Sequence, residues 1–208
     1  MRGNRCVPSV AAPQCSEVDL ADTTSMFVDT DKDFRYWSSV AGLSGETRAN
    51  ILRADIVVVP YEGFRDHPGP LFPAGTAELF QFLKDNLPSG NEAELAVEDE
   101  DFRELSLHYD LVTIASCVVK AVAEPIVVKL MADWIAKRLG NRLNSSEVRA
   151  SLTIVHTDGD QSKSVQFSYD GPAATFETVV KDALDKVPSA IAPTSPNKLE
   201  RSVDELQS

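Results

Sequence analysis

The sequence predicts an α+β domain, and three features carry that prediction. Ile56 to Val59 form a short unbroken apolar run, two later stretches alternate apolar with polar residues, and each stretch is followed by apolar residues at helical spacing. Hairpin followed by helix therefore occurs twice, from Ala93 and from Val148. Antiparallel β-hairpins, one buried central strand and amphipathic helices covering one face are the expected arrangement.

Taken in order, residues 1–25 mix Pro, Ser, Asp and small residues without periodicity and read as a flexible arm. Ile56, Val57, Val58 and Val59 read as the central strand, apolar on both sides. The loop that follows, YEGFRDHPGPLFPAG, is punctuated by Gly and Pro. Thr76 then stands where a helix N-cap belongs, ahead of Leu79, Phe80, Leu83 and Leu87 on one face, and Pro88 and Gly90 end that helix.

Alternation begins at Ala93, Leu95 and Val97 against Glu92, Glu94 and Glu98, and resumes at Leu105, Leu107 and Tyr109 against Glu104, Ser106 and His108. The acidic link Asp99, Glu100 and Asp101 turns the chain between them. Leu111 to Leu139 reads as one long buried helix, capped by Asp110, kinked or divided by Pro125, and ended by Gly140 after Lys137 and Arg138. The same segment raises the question of a membrane span, which wants roughly 20 mostly apolar residues. Lys120, Glu124 and Lys129 interrupt it, and a central Lys costs about 2.5–3.5 kcal/mol on insertion scales, so burial inside the protein is the better account.

Val148, Ala150, Leu152 and Ile154 alternate with Arg149, Ser151 and Thr153. Val165, Phe167 and Tyr169 alternate beyond the turn Asp158, Gly159 and Asp160, giving a second hairpin. Phe176, Val179, Val180, Ala183 and Leu184 then form the apolar face of a closing helix. Residues 188–208 read as a flexible tail, leaving 26–187 as a single domain, with the region near 140–147 as the candidate for a sub-boundary.

Composition narrows the function classes. A chain of 208 residues with 43% apolar and 25% charged residues can build an ordinary core without staples. A net charge of −12 argues against a nucleic-acid partner, because phosphate binding rests on Lys and Arg. Cys6, Cys15 and Cys117 are too few and odd in number for a disulfide framework, and the first residues lack the apolar run of a signal peptide, so free thiols in a cytoplasmic, reducing setting are expected.

Several motifs fail on inspection. Asp29, Asp31 and Asp33 alternate as in a calcium loop, but Phe34 stands where that loop needs Gly and Val40 where it needs Glu. MFVDTD resembles the nucleophilic-aspartate motif of haloacid dehalogenase-type phosphatases, with Asp29 as nucleophile and Asp31 as acid/base. It departs from that family in its short apolar lead, Met26 to Val28, and in lacking the downstream lysine and acidic motifs, so a solvated acidic turn is expected. No CxxC, HExxH, GxSxG, GxxxxGKS or GxGxxG pattern occurs, His108 and His156 have no ligand spacing, and neither metal nor cofactor is expected. Cys117 sits among apolar residues, as an inert thiol does.

Two groups remain. Tyr61, Glu62, Arg65, Asp66 and His67 cluster just past a strand end. There His67 would act as acid or base, Asp66 or Glu62 would orient it, and Arg65 would hold an anion. Phe34, Tyr36 and Trp37 form an aromatic cluster in a polar segment, suited either to anchoring a contact or to a satellite of the core.

Between Met131 and Phe176, MADWIAKRL, VRASLTIVHTDGD and SVQFSY lead into the closing helix. This order resembles the effector-associated accessory domains of bacterial conflict and antiviral defence systems, in which a helix with a late Trp and a basic end precedes a hairpin with a DG turn. The resemblance implies a non-catalytic adaptor beside a separate effector in a bacterial cytoplasm. The expected function is accordingly a non-catalytic interaction or regulatory protein that meets a protein partner or forms a homo-oligomer, with Tyr61, Arg65, Phe34, Tyr36 and Trp37 as contact residues. The alternative is a small hydrolase or nucleotide-handling enzyme built on the Tyr61 to His67 loop.

Overall fold

In chain order the elements are β1 (Thr24–Thr30), α1 (Phe34–Ser38), α2 (Gly45–Arg53), β2 (Ile56–Val59), β3 (Phe72–Pro73), α3 (Thr76–Asn86) and β4 (Ala93–Leu95). There follow β5 (Glu104–Leu105), β6 (Leu111–Thr113), β7 (Ser116–Lys120), α4 (Glu124–Leu139), β8 (Glu147–Asp158), β9 (Gln161–Pro172) and α5 (Phe176–Leu184). They come from a computed structural model that describes residues 23–62, 69–105, 111–158 and 161–185. The fold is α+β, built on a mixed seven-stranded sheet in the order β1-β9-β8-β7-β2-β4, with β6 paired to β8 beside that path. β3 and β5 form a separate two-stranded ladder.

The alternating stretch from Val148 forms the hairpin its period predicts. β8 and β9 pair antiparallel from Glu147↔Pro172 to Asp158↔Gln161, and residues 159–160 lie outside the described residues. Val148, Ala150, Leu152, Ile154, Val165, Phe167 and Tyr169 are all buried, because every second side chain on each strand points to the same layer of helices. α5 covers that layer with Phe176, Val180 and Leu184. Tyr169 meets Phe176 edge-on at 5.3 Å, and its hydroxyl donates to the Pro172 carbonyl at 2.7 Å, so the buried phenol is satisfied.

The apolar run of β2 is buried on both sides, and the cause is helices on both faces of the sheet rather than on one. Ile56 and Val58 join the larger core under α3, α4 and α5, while Val57 and Val59 join a smaller core with Phe34, Trp37 and Ile51 of α1 and α2. β2 is not central. It lies between β7, antiparallel, and the short β4, parallel.

Two expected elements differ from the structure. Ala93–Leu95 and Glu104–Leu105 do not pair with each other: β4 pairs parallel with β2 and β5 parallel with β3, and Asp99–Asp101 form a 3-10 turn between them. Alternation specifies a half-buried strand, not its partner, and both strands found neighbours elsewhere. Leu111–Leu139 is not one helix but β6, β7 and α4. The β-branched residues of Val112–Val119 suit a strand buried on both faces, which a short apolar run cannot distinguish from a buried helix. Pro125 consequently stands in the first turn of α4, where its missing N–H costs nothing. Asp110, the expected cap, lies outside the described residues.

β6 and β7 run along β8 as one parallel strand with a bulge. Thr113 aligns with Arg149 and Cys117 with Leu152, so one residue is extra, and Ile114 and Ala115 are both buried in the larger core. The larger core draws residues from Ile56 to Leu184, on both sides of the 140–147 connection.

α3 starts differently from its sequence signal. Gly75, at φ 92°, is the cap residue, and the Thr76 hydroxyl donates instead to the Pro73 carbonyl at 2.6 Å. The carboxylate that serves the helix N-terminus comes from Glu104 on β5, accepting from the Gly75 N–H at 3.1 Å and the Ala77 N–H at 2.8 Å. Glu104→Ala is therefore expected to destabilise the protein by about 1 kcal/mol, the usual worth of an N-cap carboxylate, with Glu104→Gln between the two, as read from urea unfolding midpoints.

Candidate functional site

Of the loop residues singled out in the sequence, Arg65, Asp66 and His67 lie outside the described residues, while Tyr61 and Glu62 can be placed. The Tyr61 N–H donates to the Leu71 carbonyl at 2.8 Å, closing the base of the loop. Its phenol is raised above its ordinary value by burial, and it shares a hydrogen bond with the Thr113 side chain.

Glu62 accepts from Lys32 Nζ and from Tyr36 Oη. Burial alone would raise its carboxyl, but those two bonds and the Lys32 charge outweigh burial and hold it below its ordinary range. The same bond pushes the Tyr36 phenol up to about 12, with burial adding to it. Lys32 also lies 5.8 Å from the Tyr36 ring centroid. A carboxylate so engaged stays ionised at neutral pH and has its oxygens committed, which suits neither a general acid nor the partner of a catalytic histidine.

The aromatic cluster divides. Tyr36 faces Glu62, but Phe34 and Trp37, at 7% and 4% exposure, are core residues packed among Ile51, Val57, Val59, Val118 and Val155. They do not project as contact anchors, because α1 is too short to stay folded without burying both rings. A cavity of about 340 Å³ opens beside them, lined by Tyr36, Trp37, Tyr61, Glu62, Glu98 and Asp101 among others. Glu98 accepts from the Ser44 N–H at 2.6 Å and is thereby tied to the start of α2.

Tyr61 also borders a second cavity of about 380 Å³ on the half of the sheet that α1 and α2 leave open, lined by Thr24, Met26, Arg149, Ser151 and Ser168 among others. Arg149 is spent there on Asp170, donating through Nε at 2.9 Å and Nη2 at 2.5 Å. Neither cavity holds a nucleophile paired with a base among the described residues. No described group of three or more His, Cys, Asp or Glu side chains is placed to hold a metal ion.

The remaining motif residues are structural. Asp29 lies on the antiparallel edge strand β1, not at the C-terminal end of a parallel strand, and Asp33 caps α1 by accepting from the Arg35 and Tyr36 N–H groups at 2.8 and 3.0 Å. Cys117 is on β7, not on a helix, and burial pushes its thiol up to about 12. Burial and, secondarily, Lys163 lower His156. His108, Cys6 and Cys15 lie outside the described residues. Among the described residues, no helix is long and apolar enough to cross a membrane.

The feature that sequence reasoning missed is β1. The segment assigned to a flexible arm up to residue 25 already enters this strand at Thr24, and all seven residues pair in unbroken antiparallel register with β9. Thr24 to Asp29 are exposed, including Met26 at 55%, Phe27 at 38% and Val28 at 45%. The signal was present in TSMFVDT, three consecutive apolar residues between polar ones, too short to stand out by periodicity. Phe27 rests on Phe167 with centroids 4.9 Å apart, which holds the strand to the sheet from one side. The opposite edge of the sheet is different: β4 has three residues and carries Glu94, with Glu92 just before it.

No family model matches the chain, and no curated protein or solved structure matches it.

Proposed function

We propose that the chain is a non-catalytic interaction module of the adaptor or regulatory kind, and that it works by taking a partner's strand along the outer edge of β1. The observation that carries this is the contrast between the two ends of one sheet. Natural sheets blunt their edges with short strands, Lys, Pro, bulges or inward charges. β4 is blunted by its length and its glutamates; β1 has seven residues in unbroken register, one charged side chain, Asp29, and three exposed apolar ones. Beyond β1, no described strand pairs with it. An added strand would satisfy its outward N–H and C=O groups and remove Met26, Phe27 and Val28 from water.

The test is a photo-crosslinking residue placed singly at Val28 of the full chain and, as control, at Gln81 on the exposed side of α3. A discrete protein adduct at position 28 and none at 81 is the expected result. Equal labelling at both positions, or none at 28, would overturn the proposal.

A further inference from the structure

Resting on the reading of β1 as a strand-accepting edge, we infer that its occupant is a second copy of this chain, paired antiparallel about a two-fold axis at Phe27. The strand reads Thr, Ser, Met, Phe, Val, Asp, Thr from Thr24 to Thr30. Its chemistry is nearly the same in both directions. Two-fold antiparallel pairing sets Phe27 on its own copy, Met26 against Val28, Thr24 against Thr30, and Ser25 against Asp29. Directly opposed side chains share a face, so the phenylalanines meet on the face where Phe27 already rests on Phe167, while Met26 and Val28 meet on the other.

Charge fits the same register. The strand's one carboxylate, Asp29, falls opposite the neutral Ser25 and never opposite itself, so pairing brings no like charges into direct contact. A closed, self-complementary interface of this type ends the exposed edge instead of propagating it. Two cross-strand contacts would recur in every dimer, at Ser25 with Asp29 and at Asp29 with Ser25.

The pair is expected to be modest in strength. A seven-residue edge is smaller than the roughly 800 Å² per partner of a standard interface, which places the pair among weak, reversible contacts. Each copy carries a net charge of −12. Repulsion between the two is screened as salt rises, so the dimer tightens with ionic strength, opposite to what a basic partner strand would show.

Sedimentation velocity of the full chain at low, physiological and high salt tests this, together with Ser25→Lys, Ser25→Asp and the charge-matched control Gln81→Lys. Ser25 is exposed, so both changes leave the core untouched. A lysine at 25 faces Asp29 twice per dimer and is expected to tighten it about twofold to twentyfold beyond any effect of Gln81→Lys, while Ser25→Asp weakens it by a similar factor. A chain that stays monomeric at several hundred micromolar, or Ser25 variants that do no more than the control, would overturn self-pairing. The crosslink at position 28 separates the two proposals. An adduct of twice the chain's mass supports both, one of another mass overturns self-pairing while the strand-accepting role stands, and none overturns both.

Discussion

Trp37→Ala is expected to cost about 3–5 kcal/mol, the range for deleting a large buried aromatic, and to do so by detaching α1. Trp37 is 4% exposed and meets Tyr36 edge-on at 5.2 Å. With Phe34 it is what binds the five-residue α1 to the back of β2 and β7. A helix of that length has no stability of its own, so its burial supplies nearly all of what holds it. The loss has a spectroscopic companion. The Tyr36 phenol stands at about 12 because Glu62 accepts its proton in a hydrogen bond, and a loosened α1 would let it titrate nearer its ordinary value of 10.0. Thermal unfolding gives the first readout and alkaline absorbance titration of the tyrosines the second. Trp37→Phe should cost much less, since the buried indole Nε1 has no hydrogen-bond partner among the described residues and the smaller ring removes that donor. Equal losses in both variants would show that the indole nitrogen, not the ring's burial, is what the site needs.

Asp55→Ala is expected to cost about 1–3 kcal/mol, discounted for the partial exposure of its Lys120 partner. Asp55 ties four segments at one point. Its Oδ1 accepts from Lys120 Nζ at 2.9 Å at the end of β7, and its Oδ2 accepts from the Glu92 N–H at 3.0 Å just before β4. Lys120 Nζ also donates to the Arg53 carbonyl at 2.9 Å, at the end of α2. Burial would raise the Asp55 carboxyl, but Lys120, the Glu92 N–H and Asn91 together bring it below its ordinary value of 3.8. The sign for acid follows. A carboxyl lowered in the folded state contributes stability that is fully present above about 4 and is lost as pH falls through the lower native value, because the unfolded chain takes up the proton first. Stability of the natural chain should therefore fall on acidification below about pH 4, and Asp55→Asn should flatten that part of the curve while lowering the neutral plateau. Urea midpoints between pH 2 and 7 measure both, and parallel curves for the two proteins would exclude Asp55 as the source of the slope.

What the sequence made legible follows from how far along the chain each signal reaches. The β8–β9 hairpin and α5 were readable because their partners are adjacent and their periods long: twelve-residue strands alternate often enough to fix which face is buried. β2 was readable as doubly buried, yet not its place in the sheet, which depends on α1 and α2 packing behind Val57 and Val59. Alternation marks β4 and β5 as strands but does not name their partners, since a three-residue and a two-residue strand carry no register of their own. The Glu62 cluster was half visible. Glu62 and Tyr36 each stand out in the sequence, but 26 residues separate them, and nothing local says that Lys32 and Tyr36 converge on one carboxylate. β1 was hidden because an edge strand exposed on both faces has no apolar face for periodicity to reveal.

The extra residue at Ile114–Ala115 has a consequence for parity. Val112 and Val119 are seven positions apart, an odd number, and strict alternation would send them to opposite sides; both instead pack against the larger core. Two phases of apolar residues are thus spliced in a single strand: even positions point inward before the splice and odd positions after it, at Cys117 and Val119. A related chain that lacks one residue here would run in strict alternation, with Ile114 inward, Ser116 outward and Cys117 inward, and would keep its apolar residues at the same aligned positions. A one-residue gap at this point in a relative would therefore leave the apolar and polar columns on both sides of it unchanged, whereas a chain that kept the residue in an unbulged strand would have to exchange them on one side.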